Sequence, residues 1–200
     1  MAQKTFTLTQ GDITLLPLED GALVNPSNTG MILGSGVGEA ITRRAGPFIQ
    51  QKLHMKRSKL DENRLDPGRA VETEAGQLSA EYLIHVSILG SKDIDRRLIG
   101  NCIRNAYNVA DRVGVKTIAF PPLGVELAGF PMEEFLDLFH KVTDSMVPSM
   151  SQLEHVILCC QEEQGFEEAR TYLEEHQGED EWDEAFTFEV SASGMGASLM

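Results

Sequence analysis

Two glycine-bearing stretches carry the residue types that hold phosphate through backbone amides. The first, Asn25–Gly38, reads NPSNTGMILGSGVG, and its Gly34-Ser35-Gly36-Val37-Gly38 core opens a helix. Glycine permits close approach of the backbone to an anion, and the first N–H groups of a helix supply donors. The second, Pro121–Pro131, reads PPLGVELAGFP and spaces Gly124 and Gly129 around a bend between a strand and a helix. Tight strand-to-helix turns also use such glycines and prolines, so neither stretch alone specifies a ligand. No Gly-Lys-Ser/Thr follows the first stretch, which excludes a P-loop. Asp12, after Gly11, offers a carboxylate acceptor or an Asx turn. His85 lies in a strand-like run as a core histidine, and Cys159-Cys160 read as small buried hydrophobes.

The elements that must position these residues alternate between strand and helix, which predicts an α/β fold with a mainly parallel sheet. Strands are expected at Thr5–Thr9 (an edge), Ala22–Val24, Arg69–Thr73, Tyr82–Val86, Thr117–Phe120 and His155–Cys160. Helices are expected at Val37–Arg44, from Phe48 to Met55, and at Gln164–Glu175. Leu98, Cys102, Ala106, Val109 and Val113 form one amphipathic stripe within Ile94–Val113, stopped by Gly114. A second runs from Met132 to Met146. Both glycine stretches follow strands, at the sheet edge where open α/β folds bind ligands.

In order along the chain stand Gly11-Asp12-Ile13-Thr14, Ala22-Leu23-Val24-Asn25-Pro26-Ser27-Asn28, the glycine stretch, Gly68–Thr73 with Gly76-Gln77-Leu78, Tyr82–Val86, Ile118-Ala119-Phe120-Pro121 and Gly129-Phe130-Pro131. This series resembles the macro domain, the ADP-ribose-binding module, over roughly residues 5–175. The resemblance implies a three-layer α/β/α fold with a mixed, largely parallel central sheet. It divides the chain into a macro domain at 1–176 and an acidic tail at 177–200, flexible or forming a short edge strand. It also implies a cleft for ADP-ribose or a derivative, free or on an ADP-ribosylated protein. Asp12 and the Ile13 amide would face adenine and Asn28 the distal ribose. Gly34, Ser35, Gly36 and Val37, with Gly124, Val125, Glu126, Leu127 and Ala128, would wrap the diphosphate and distal ribose.

Three departures qualify the match. Gly124-Val125-Glu126 replaces a hydroxyl- and glycine-rich triplet, Cys160 stands where an aromatic residue often stacks on adenine, and Gly38 replaces the aspartate of hydrolase-type members. No catalytic residue, metal or cofactor is therefore assigned. Reader and hydrolase both remain, and the alternative is a degenerate macro domain serving as a protein interaction module.

The charge of −14 does not exclude an anionic ligand, because it is unevenly distributed. Residues 1–160 hold 16 basic and 19 acidic residues, whereas residues 161–200 hold one and 12. Residues 43–69 hold eight basic and three acidic residues, read as a solvated face, and no aromatic interleaving points to nucleic acid. No apolar run approaches the roughly 18–20 residues of a membrane span. Three cysteines give no even disulfide framework, and Met1–Leu8 lacks a signal-peptide layout, so a cytoplasmic location is expected.

Overall fold

The computed structural model describes residues 4–90, 94–176 and 186–191. Along the chain run β1 (Lys4–Gln10), β2 (Gly21–Asn28), α1 (Val37–Arg44), α2 (Ile49–Arg57), β3 (Ala70–Glu74), β4 (Tyr82–Leu89) and α3 (Arg96–Val113). There follow β5 (Thr117–Phe120), α4 (Val125–Ala128), α5 (Met132–Met146), β6 (His155–Cys160), α6 (Glu163–Glu175) and β7 (Phe186–Ser191). One seven-stranded sheet results, in the order β3-β4-β2-β5-β6-β1-β7. Only the β3–β4 pair is antiparallel, so the sheet is mixed and largely parallel, as the sequence implied.

Strand alternation divides the core into two layers. Phe6, Val24, Ile84, Phe120 and Leu158 face α3, α5 and α6, and Leu23, Leu83, Ala119 and Ile157 face α1 and the start of α2. On the first face Phe139 packs edge-on against Phe120 at 5.1 Å, and the Tyr107 hydroxyl meets the Thr143 hydroxyl at 2.7 Å. Gly114, at φ +75°, caps α3 in the left-handed region as its position after the apolar stripe predicts.

Two expectations change, the place of β1 in the sheet and the end of β2. β1 is not an edge, because β7 pairs with it in parallel from Lys4↔Phe186 to Thr9↔Ser191. Of the tail, residues 186–191 form that edge strand, and the flexible alternative concerns 177–185 and 192–200, outside the described residues. β2 does not end at Val24 but runs through Asn25–Asn28. β5 pairs only with Gly21–Leu23, so beyond Leu23 the strand is bonded on one side alone and tolerates Pro26.

Candidate functional site

After β2 the chain builds β3 and β4 on one side of it, and the later strand β5 lies on the other. The C-terminal ends of β2 and β5 therefore flank the reversal point where open α/β sheets form a crevice. The glycine stretch leaves β2 here and α4 follows β5. Gly36, at φ +53° before α1, lies against α4: a Cβ there would stand 3.1 Å from Leu127 Cδ1. Gly124, at φ +81°, would bring a Cβ within 2.8 Å of Ile99 Cδ1, so only glycine fits this bend.

Leu127 thus bridges the two loops. Beneath it a space of about 20 Å³ is bounded by Pro26, Gly36, Val37, Ile88, Gly124, Glu126 and neighbouring prolines. That volume suits a water molecule and is far too small for a diphosphate. Across α4 a second cavity of about 300 Å³ is bounded by Pro122, Val125, Glu126, Met132, Cys160 and Glu162, among others. Glu126 is common to both walls. Partial withdrawal from water, with Glu162 nearby, raises its carboxyl above the ordinary carboxylate range.

The remaining expected residues lie outside these walls. Asp12 opens a 3₁₀ turn, where its Oδ1 accepts from the Thr14 amide at 3.0 Å and the Thr14 hydroxyl at 2.6 Å. Arg44 Nε approaches its Oδ2 at 3.4 Å. Burial would raise the Asp12 carboxyl, but the Thr14 bonds and Arg44 outweigh it and lower the pKa. Ile13 is buried against the α1 side of the sheet. Asn28 does not point free: its Nδ2 donates to the Ile32 carbonyl at 2.8 Å and its Oδ1 accepts from the Ile32 amide at 3.2 Å. Gly34 has open space around it, and Ser35 and Ala128 line neither cavity.

Sequence reasoning missed Arg44 as the partner of Asp12, Leu127 as the bridge, and Asn25 as the polar floor under α1. Asn25 stands only three residues before Asn28, and the resemblance drew attention to the second asparagine alone. Cys159 and Cys160 are buried, and burial pushes the Cys159 thiol up to about 12, which leaves it protonated rather than nucleophilic at neutral pH. A larger cavity of about 780 Å³ lies between α5 and α6, has a wall half of whose residues are acidic and contains none of the expected residues. Among the described residues no cluster of three or more His, Cys, Asp or Glu is placed to hold a metal, and no helix is long and apolar enough to cross a membrane.

A family model described as the macro domain matches residues 24–139. The chain belongs to the macro domain family. A macro domain-containing protein of Streptomyces nogalater is 40% identical over 64% of this chain and 71% of its own. An O-acetyl-ADP-ribose deacetylase of Pantoea vagans is 33% identical over 78% and 91%, respectively. The Oceanobacillus iheyensis macrodomain, solved with ADP, superposes with a TM-score of 0.72 at 26% identity, covering 82% of this chain and 89% of that one. This macro domain therefore shares its fold with a protein solved in complex with ADP.

Proposed function

We propose that this macro domain binds ADP-ribose or a close derivative, with the diphosphate between the glycine stretch and α4. The observation that carries the reading is the meeting of the two loops, Leu127 on Gly36, where β2 and β5 diverge. Three chemical features suit that ligand. The α1 N-terminus offers amides with no side-chain cap, the Asp12 carboxylate offers an acceptor for an amino group, and the cavity of about 300 Å³ offers room beside loop carboxylates that accept from ribose hydroxyls. Entry of the diphosphate requires Leu127 to move off Gly36. With Gly38 in place of a carboxylate and Asn28 bound to Ile32, recognition rather than turnover is the activity these residues support.

Calorimetry with ADP-ribose, ADP and AMP tests the reading. Selective micromolar binding of ADP-ribose, weakened about tenfold in Asp12→Ala, is expected for one charge-assisted hydrogen bond. No heat at millimolar ligand overturns it. The likeness to an O-acetyl-ADP-ribose deacetylase favours hydrolysis as a second reading. Incubation with O-acetyl-ADP-ribose decides between them, because only an enzyme releases acetate over many turnovers.

A further inference from the structure

Beneath the first turn of α1 lies a buried chain of polar groups that no ligand reaches directly. Asn25 is 1% exposed and His85 is fully buried. Asn25 Nδ2 lies 3.1 Å from His85 Nδ1, and His85 Nε2 lies 2.9 Å from Thr73 Oγ1. Asn25 Oδ1 has no hydrogen-bond partner. It faces α1: a Cβ on Gly38 would stand 3.8 Å from it.

A carboxamide nitrogen only donates, so His85 Nδ1 accepts and the ring proton sits on Nε2, directed at Thr73. A half-turn of the amide reverses every bond along this chain of polar groups without moving any charge. Asn25 Oδ1 would then accept from Nδ1–H, Thr73 would donate to Nε2, and the amide N–H groups would face α1. Burial, reinforced by Lys56, holds the His85 pKa down to about 3 against the opposing pull of Glu72, so the ring stays neutral in both arrangements near neutral pH. The two states differ only in tautomer and in which end of Asn25 points at the helix.

We propose that Asn25 is a positioning residue for the glycine stretch, and that an anion bound at the α1 N-terminus turns its carboxamide and shifts His85 from the Nε2–H to the Nδ1–H tautomer. The physical reason is dipolar. In the structure the negative end of the amide faces the first turn of α1, an arrangement that opposes an anion beyond that turn. The reversed amide presents its positive end, and in a water-poor interior such a difference is weakly screened. An anion that favours one state over the other shifts the balance between them by that differential interaction alone. Thr73, on the edge strand β3 and away from the cleft, supplies a hydroxyl able to accept or donate, which lets both states keep all their ring bonds.

The coupling to ligand rests on the proposed ADP-ribose binding, and the experiment separates the two. In ¹⁵N-histidine NMR of the full chain, the free protein is expected to show His85 as Nε2–H, and saturation with ADP-ribose to convert it to Nδ1–H. Finding Nδ1–H in the free protein, or no change on saturation, overturns the proposal. Asn25→Asp fixes an oxygen under α1 and is expected to weaken ADP-ribose about tenfold, with Asn25→Leu falling between it and the native protein. Asn25→Asp binding as tightly as native, at a similar Tm, also counts against it. A chain that binds no ADP-ribose refutes the function above and removes the ligand-driven step, whereas the free-state tautomer still decides how Asn25 is turned.

Discussion

Glu126 occupies a position that forces a choice on the cleft. It bounds the space beneath Leu127 as well as the larger cavity across α4, and no described residue forms an ion pair with it. A carboxylate about 4 Å from a phosphate repels it by about 1 kcal/mol in water and about 4 kcal/mol at an effective dielectric of 20. Because Glu126 is exposed along the rim, the lower figure governs. Glu126→Gln is therefore expected to tighten ADP-ribose about fivefold, with little change in Tm. Its raised pKa adds a sign that calorimetry at several pH values can read. The native affinity should increase as pH falls through the raised Glu126 pKa and the carboxylate becomes neutral, and Glu126→Gln should lose that dependence. Equal affinities at every pH would mean that the carboxylate points away from the ligand. The sequence shows that a carboxylate replaces the expected glycine here, but not which cavity it borders. That depends on Gly124 and Gly129, whose left-handed conformations set the orientation of the single helical turn between them.

At the scale of elements, the clearest sequence signals were those in which a single periodicity covers the whole segment. Thr117–Phe120, Met132–Met146 and His155–Cys160 form with the expected bounds because their apolar stripes are complete within themselves. β2 was misread because Pro26 looks like a terminator, and its tolerance depends on where another strand, β5, stops. The bridge from Leu127 to Gly36 was invisible for the same reason, since it joins residues from two loops distant in sequence. β3 illustrates how a short edge strand is secured. Its Glu72 accepts from Lys56 of α2 at 2.6 Å and Arg112 of α3 at 2.5 Å, so two helices clasp the antiparallel edge. Burial would raise the Glu72 carboxyl, but the two cations and a backbone bond lower it to about 2. A lowered folded pKa gives stability that is complete above the ordinary value of 4.5 and is lost as pH falls toward 2. Glu72→Gln should consequently lower Tm at pH 7 by a few degrees, roughly 2–4 °C per kcal/mol for a chain of this size. Its deficit relative to the native protein should shrink as the pH is taken down to about 2. Thermal melts across that range check both, and a deficit that persists at the acid end would assign the effect to packing.

The whole molecule is asymmetric in charge and in what closes its two sheet edges. β3 is held by ion pairs, whereas β7 is held by packing: Phe186 is 2% exposed, and the Phe188 ring lies 5.8 Å from Phe6. Ser191 adds a hydroxyl bond to Thr9 at 2.9 Å. Residues 177–200 contain six acidic and no basic residues, so the segment that carries the sheet's last strand also carries nearly half of the net charge. Its removal therefore has two effects of the same direction. Ending the chain after His176 uncovers one side of β1, KTFTLTQ, as an unpaired edge, and lowers the charge that keeps copies apart from −14 to −8. Losing a buried phenylalanine costs about 3–5 kcal/mol, which corresponds to a fall in Tm of about 10 °C. The shortened chain should also aggregate near its melting temperature at concentrations where the full chain remains clear. The cleft should respond differently, because β7 stands three strands from β5, at the far edge of the sheet. ADP-ribose affinity measured well below Tm should thus match that of the full chain, and a chain ending at Ser191 should match it in Tm as well. If the chain ending at His176 melted with the full-length protein, β7 would not contribute to the stability of the sheet. If it melted lower and also lost ligand, the terminal segment would be acting on the cleft through the sheet, not only closing its far edge.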